Sequence, residues 1–156
     1  MEKNRIYLQT FSDAMQKLRT VENQLKRVFE ENTGMSLTRF QILCFVKDYG
    51  PTTQAKVAEY VGIDPAAITR HMKILEEKGY IKRERNENNG REIKVSFTKM
   101  SKEKLAALHA SHKEAFEGKD KAGFDAGGCS VMASISEDDI RQLMDALSLL
   151  EEKIKA

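Results

Sequence analysis

The chain has little cysteine and no long apolar run among its 156 residues. Two cysteines, Cys44 and Cys129, are too few for a disulfide-stabilised scaffold, so we expect free thiols in a reducing compartment. No run of about 18 apolar residues is present to span a membrane, and residues 1–11 lack the apolar core of a signal peptide. These absences predict a cytoplasmic protein without a membrane partner.

The sequence signatures of catalysis are missing as well. We find no phosphate-binding loop, no metal-hydrolase motif and no nucleophile in a recognisable setting. A metal site at His109, His112 and Cys129 is disfavoured, because His112 falls on an apolar stripe and no second Cys/His cluster exists. We therefore predict no catalytic residue, no metal and no cofactor, and a protein that is not an enzyme.

The net charge of +2 does not by itself indicate a nucleic-acid partner. Its distribution is more informative, because residues 34–98 contain 11 basic and 8 acidic side chains, whereas residues 99–156 contain 9 and 11. The middle of the chain is therefore its basic part, and a nucleic-acid site is expected there.

Residues 64–80 are predicted to form a short helix with both ends marked. Asp64 is a good N-cap, Pro65 suits the first helical position, and Gly79 supplies a C-terminal stop. At about 100° per residue, one stripe of this helix is apolar and is predicted to be buried: Ile68, Met72 and Leu75.

The opposite face of this helix is suited to DNA. Ala66 and Ala67 are too small to keep a second surface away, and Thr69, Arg70 and Lys73 can hydrogen-bond to phosphates or base edges. A helix with this face can enter the major groove N-terminus first. The alternative is an amphipathic surface helix whose charges are only solvated, and the neighbouring segments decide between the two.

A shorter helix is predicted directly before it, over residues 54–61, capped by Thr52 or Thr53. Ala58 and Gly62 suit a tight turn between crossing helices, because the alanine permits close packing and the glycine takes a left-handed conformation. Two short helices joined in this way predict a helix-turn-helix.

A β-hairpin is predicted directly after it. Residues 81–85 and 92–97 alternate with a period of two and flank a turn-rich loop at 86–91. Arg91, with the small polar Asn88 nearby, is placed to reach a minor groove or grip phosphates. An exposed polar turn is the alternative for an isolated hairpin, but after a helix-turn-helix we interpret the hairpin as a wing.

A helix is predicted over residues 98–116, with Ser101 as its cap. Long helices are also predicted at both ends of the chain. Residues 6–29 carry an apolar stripe, and the last helix, starting at Ser136, carries a continuous one. Such stripes need a partner, so part of them is expected to meet a second subunit. The Gly-rich segment at 118–135 has no clear period and remains unassigned.

The combined pattern resembles the MarR family of transcription regulators. The resemblance rests on LTRFQ at 37–41, VAEYVG at 57–62, ITRHM at 68–72, LEEKG at 75–79, NGR at 89–91 and VSFT at 95–98. It implies a mainly α fold with a small β-wing, namely a winged helix-turn-helix flanked by N- and C-terminal dimerisation helices. The corresponding regions are 1–35, 36–98 and 99–156, the last including the 118–135 insertion.

The resemblance also implies a homodimer on a pseudo-palindromic double-stranded DNA operator. Thr69, Arg70 and Lys73 match recognition-helix contacts, and Arg91 matches the wing arginine. Thr53 and Gln54 match positions near the DNA backbone, and with Ala66, Ala67 and Asn88 they complete the predicted DNA-binding set. One departure is Asn89, which stands where the family usually has an aspartate that pairs with the wing arginine.

Regulation is less defined by the sequence. The resemblance implies a repressor released by a small-molecule effector, for which Met15, Leu43 and Met72 are candidate lining residues, although such residues more often belong to the plain core. Two alternatives stay open: a redox-responsive regulator acting through Cys129, and a winged-helix protein-protein adaptor without DNA binding.

Overall fold

The computed structural model describes residues 2–117 and 135–155. The chain divides into two compact units, Met1–Ser111 and His112–Ala156. The helices are α1 (Glu2–Thr33), α2 (Leu37–Tyr49), α3 (Gln54–Val61), α4 (Pro65–Glu77), α5 (Lys99–Glu117) and α6 (Glu137–Lys155). The strands are β1 (Thr52–Thr53), β2 (Ile81–Asn86) and β3 (Asn89–Phe97). The predicted class, mainly α with a small β-wing, is confirmed.

The sheet contains a strand that the sequence did not reveal. Its order is β1-β3-β2, with β3 antiparallel to both neighbours. The two residues of β1 pair with β3, Thr52 opposite Val95 and Thr53 opposite Lys94. A two-residue strand has no detectable alternation, which is why we expected only a hairpin. The extra strand attaches the wing to the segment between α2 and α3.

The hydrophobic core lies where α2, α3, α4 and the sheet meet. Its members are Ile42, Leu43, Val46, Val57, Ile68, Met72, Leu75, Ile81, Val95 and Leu105. The three α4 members are those of the predicted stripe, and each is at most 1% exposed. Burial of a side chain of this size stabilises the fold by about 1.5–3 kcal/mol, so α4 is held firmly by one face.

The turn between α3 and α4 forms as predicted. Thr53 caps α3 by accepting the Lys56 backbone N–H at 3.3 Å. At the other end Gly62 has φ +71° and donates its N–H to the Ala58 carbonyl at 2.9 Å. A residue with a Cβ is strained in this left-handed conformation, so glycine is required here.

The end of α4 is closed by two backbone hydrogen bonds. Gly79, with φ +74°, donates to Glu76 at 2.8 Å, and Tyr80 donates to Leu75 at 2.8 Å. This pair of bonds is a Schellman motif, which satisfies carbonyl groups that the helix leaves unpaired. Strand β2 begins at the next residue, so the motif fixes the direction in which the wing leaves α4.

The wing differs from the prediction in the length of its strands. Asn86 pairs with Asn89, which leaves only Glu87 and Asn88 in the turn, and a register shift follows Arg85. The predicted loop at 86–91 is therefore too long. The register shift is a β-bulge, in which the strand pairing is locally interrupted. The polar residues that suggested a loop lie at this interruption.

The start of α5 also corrects a prediction. We expected Ser101 as its cap, but Thr98 caps the helix by accepting the Ser101 N–H at 3.2 Å. Ser101 is fully buried, and its hydroxyl donates to the Tyr80 carbonyl. The Thr98 hydroxyl lies 2.7 Å from the Gly79 carbonyl. The two hydroxyls thus tie α5 to the end of α4.

The terminal helices leave apolar side chains uncovered. Helix α1 is longer than predicted, and the rings of Phe29 on α1 and Phe40 on α2 contact each other at a tilt, with centroids 5.2 Å apart. Its exposed apolar residues are Ile6, Tyr7, Leu8, Phe11, Leu18 and Val21. In the second unit, Ser136 precedes α6, as predicted, and it caps the helix reciprocally with Asp139, which was not predicted. Its stripe is exposed at Ile140, Leu143, Met144, Leu147, Leu150 and Ile154.

Among residues 2–117 and 135–155, no helix combines the length and the apolarity needed to cross a bilayer.

We predict that Gly62→Ala lowers the free energy of unfolding by about 1–2 kcal/mol, because alanine is strained at positive φ. The matched control is Gly90→Ala: a Cβ there meets no atom within 4 Å, and its φ is not positive. Urea titration at a fixed protein concentration measures both variants. Equal stabilities would contradict the proposed strain at the turn.

Candidate nucleic-acid interface

The N-terminus of α4 is closed by its own cap. Asp64 Oδ1 accepts the backbone N–H groups of Ala66 and Ala67, each at 2.9 Å. The bond from Ala67, followed by that from Ala66, lowers the pKa of Asp64 from its ordinary value. Because these N–H groups already have an anionic partner, this helix end has little capacity to bind a phosphate. An anion that approaches this end of α4 would therefore have to be bound by side chains.

The outer face of α4 has the predicted composition and exposure. Ala66, Thr69, Arg70 and Lys73 are exposed, and Ala67 is half-buried. The Lys73 ammonium lies 3.8 Å from the Glu77 carboxylate, and both side chains are more than 60% exposed. Such a surface pair is weak and is easily exchanged for a phosphate. The outer face of α4 therefore presents two exposed cations, Arg70 and Lys73, next to the small side chains of Ala66 and Ala67.

Helix α3 is joined to this face by one side-chain hydrogen bond. Gln54 Nε2 donates to Thr69 Oγ1 at 3.0 Å, and the Thr69 hydroxyl donates to the Pro65 carbonyl at 2.8 Å. Gln54 is half-buried. Its amide, which we predicted near the DNA backbone, is thus engaged within the protein. Thr53, also half-buried, accepts the capping bond of α3 and keeps its hydroxyl proton for another partner.

Arg91 lies on β3, whereas the sequence predicted it within the loop at 86–91. The tip is formed by Glu87 and the exposed Asn88. Arg91 is exposed, and within residues 2–117 and 135–155 its guanidinium has neither a hydrogen bond nor an ion pair. Asn89 Oδ1 accepts the Arg91 backbone N–H at 3.3 Å. Asn89, which stands where the family usually has an aspartate, therefore bonds to the backbone, and the Arg91 guanidinium stays unpaired among the described residues.

A salt bridge between α4 and the wing was not predicted. The Glu76 carboxylate accepts bonds from Arg83 Nε at 2.9 Å, Arg83 Nη2 at 2.6 Å and the Arg83 backbone N–H at 3.1 Å. The side-chain hydrogen bonds from Arg83, both to Oε2 and opposed by partial burial, lower the pKa of Glu76 from its ordinary value. Nothing in the spacing of these two residues distinguishes them from other charged pairs. The bridge fixes the angle between α4 and β2.

His71 lies beside the predicted contacts and faces the protein. Its Nδ1 is buried without a hydrogen-bond partner in the described part of the chain. Burial lowers the pKa of His71, and the positive charges of Arg39 and Arg70 lower it further. The neutral form of the imidazole is therefore favoured at pH 7, and His71 adds little charge to the outer face of α4.

The candidate effector residues do not come together at one cavity. Leu43 and Met72 are fully buried members of the core, and Met15 is half-buried on α1, outside that core. Leu43 and Met72 pack against α3 and the sheet and expose no surface to a ligand. Effector binding by these residues stays a prediction.

The remaining predictions concern cysteine and metal. Cys44 is half-buried, and burial raises the pKa of its thiol, which disfavours the reactive thiolate. Cys129 and the side chains of His109 and His112 lie outside the described residues. In the part of the chain that is described, no three His, Cys, Asp or Glu side chains are grouped to hold a metal ion.

Comparison with known proteins agrees with this geometry. A model of the MarR family matches residues 35–93, which contain the helix-turn-helix and most of the wing. The uncharacterised HTH-type transcriptional regulator YdgJ of Bacillus subtilis is 27% identical over 143 residues, or 92% of this chain and 80% of the relative. The family match and this relative support a winged-helix regulator of the MarR family. As a transcriptional regulator of that family, it is not an enzyme.

Solved structures share the fold along nearly the whole chain. Reduced AbfR bound to DNA superimposes with a TM-score of 0.71 at 15% identity and covers 100% of both chains. A variant of MarR from E. coli complexed with operator DNA gives 0.67 at 18% identity, covering 86% of this chain and 91% of that one. BldR of Sulfolobus solfataricus gives 0.65 at 20% identity, covering 98% and 99%. Identities this low establish the MarR-type fold alone.

We predict that Glu76→Gln destabilises the protein at pH 7 by about 0.5–1 kcal/mol, a modest value because the carboxylate is 37% exposed. The folded pKa of Glu76 is depressed, so its contribution is present above the unfolded pKa of about 4.3. It is lost as the pH falls through the folded pKa. The difference between wild type and variant should therefore shrink below about pH 4, as measured by urea titration across pH.

The matched control for this substitution is Glu77→Gln, on the adjacent residue, whose side chain is 63% exposed. Its effect on stability should stay within about 0.5 kcal/mol at every pH. A Glu76→Gln deficit of the same size at pH 3 and pH 7 would contradict a role for the ionised carboxylate.

Proposed function

We propose that this MarR-family protein is a homodimeric transcription regulator that binds a pseudo-palindromic operator in double-stranded DNA. The observation that supports this best is the outer face of α4, where exposed Arg70 and Lys73 follow the small side chains of Ala66 and Ala67. Such a face allows close approach to base edges in the major groove, with cations positioned for guanine or phosphate.

The wing supplies the second contact in this proposal. Arg91 is exposed and unpaired among the described residues, and β3 is held from both sides by β1 and β2. The Glu76–Arg83 bridge links β2 to α4. A rigid link between helix and wing fixes the spacing of their contacts, so one binding event can place both on the same duplex.

The dimer in this proposal is formed by the terminal regions, 1–35 and 99–156. The exposed stripes of α1 and α6 support it, because contiguous apolar faces of this length are rarely left in water. A two-fold symmetric dimer presents two α4 helices, which explains why the operator would be a pseudo-palindrome.

We further infer that the bound dimer acts as a cytoplasmic repressor, since a protein seated on a promoter blocks polymerase, and that a small-molecule effector releases it. Family membership is the support for this sign of control. The titration described next uses purified protein without effector, so it tests DNA binding independently of release.

We predict that duplex binding weakens steeply with added salt, with a log–log slope of about −0.9 for each phosphate neutralised. On a duplex selected from a random library, Arg70→Ala should lose about 1–3 kcal/mol and relax the base preference at one position per half-site. Fluorescence anisotropy at several salt concentrations measures both effects.

The control is Lys47→Ala, which removes an exposed cation from α2, outside α4, the wing and the terminal regions, and should leave binding unchanged. Equal weakening by Arg70→Ala on selected and random duplexes would mean that Arg70 contacts only phosphate. No salt-dependent binding to any duplex would instead favour the protein-protein adaptor.

The dimer is tested by placing a charge on the stripe of α6. Leu143→Glu should weaken self-association at least about 100-fold, because an unpaired charge would be buried between subunits. Gln142→Glu adds the same charge outside the stripe and is the control. Analytical ultracentrifugation measures both, and a Leu143→Glu protein that remains as dimeric as wild type would contradict this interface.

A further inference from the structure

The hydrogen bonds of Thr69 limit what this residue can offer to DNA. A hydroxyl has one proton and two lone pairs. The proton is donated to the Pro65 carbonyl at 2.8 Å, and one lone pair accepts Gln54 Nε2 at 3.0 Å. Thr69 is nevertheless exposed on the outer face of α4. What it has left for a base is its methyl group and a single acceptor.

Gln54 is the residue that orients the Thr69 hydroxyl. Threonines in helices divide between two χ1 rotamers, both of which allow a bond to the preceding turn. The Gln54 amide selects the rotamer that meets it, and this bond is the only one the side chain makes within residues 2–117 and 135–155. If the amide were reversed, its carbonyl would attract the same hydroxyl proton. In either orientation the proton faces the protein.

The residues before Thr69 on α4 also present methyl groups. Ala66 and Ala67 lie one turn earlier on α4 and present only methyl groups. Methyl groups of alanine and threonine pack against the C5-methyl of thymine, which no other base of unmodified DNA carries. Arg70 and Lys73 remain as the donors on this face.

We propose that Gln54 is a positioning residue that holds the Thr69 hydroxyl against α3, and that the first turns of α4 consequently read thymine methyl groups. This inference rests on the proposed function and adds the class of base that is read. Thymine is recognised at the step facing Thr69 by apolar contact, without a hydrogen bond donated by Thr69.

The test uses the full-length protein and the selected duplex. Each thymine of one half-site is replaced in turn by uracil, which removes only the C5-methyl. At the position facing Thr69 the dissociation constant should rise about fourfold, the effect of one buried methyl group. Thr69→Ser keeps the hydroxyl and removes the methyl, so it should bind the thymine duplex about fourfold more weakly. The dissociation constant of this variant should also be the same for thymine and uracil at that one position.

Gln54→Ala should broaden the base preference at the same position, because Thr69 regains a free lone pair and its second rotamer, so that its methyl group is no longer held toward one base. Its salt slope should stay unchanged, since no phosphate contact is lost. Gln41→Ala removes an exposed glutamine from α2 and should alter neither quantity. A merely structural role for Gln54 would lower stability without changing which base is preferred.

The outcomes of these experiments distinguish failure of this inference from failure of the proposed function. Salt-dependent duplex binding in which Thr69→Ser keeps the full uracil sensitivity of wild type would overturn the methyl reading alone. So would a Gln54→Ala protein with an unaltered base preference. Absence of salt-dependent binding to every duplex would overturn both the proposed function and this inference.

Discussion

Ile68, Met72 and Leu75 pack into the core, and the position of every candidate contact on α4 follows from that packing. Each of the three is at most 1% exposed. A helix held on one stripe can neither rotate nor slide without uncovering apolar surface, which costs about 25 cal/mol for each Å². The opposite face, with Arg70 and Lys73, is therefore fixed in direction although its own side chains make few contacts.

Polar bonds then set the details that core packing leaves open. Gln54 bonds to Thr69 on the outer face, and Glu76 bonds to Arg83 at the far end of α4. Apolar contact is non-directional, whereas hydrogen bonds are strong only within a narrow range of angles. The core thus places α4, and these two side-chain links decide how Thr69 and the wing are oriented relative to it.

Local signals in the sequence were sufficient wherever neighbours along the chain determine the structure. Asp64 caps α4, Gly62 turns the chain, and Gly79 ends the helix, each as predicted. The same signals were misleading at the wing, because residues with turn propensity at 86–91 mostly belong to strands. Pairing with β3 and a bulge overrode local propensity there, as tertiary context often does in sheets.

The sequence by itself determined the order of the elements, the buried stripe of α4 and the chemical character of its outer face. These depend on periodicity and on contacts within four residues. Only the tertiary structure decided that β1 joins the sheet, that Gln54 donates a hydrogen bond to Thr69, and that Arg83 forms a salt bridge with Glu76. Gln54 and Thr69 are fifteen residues apart, and no short-range pattern encodes a bond between two helices. Such a bond exists only once the core has brought α3 and α4 together.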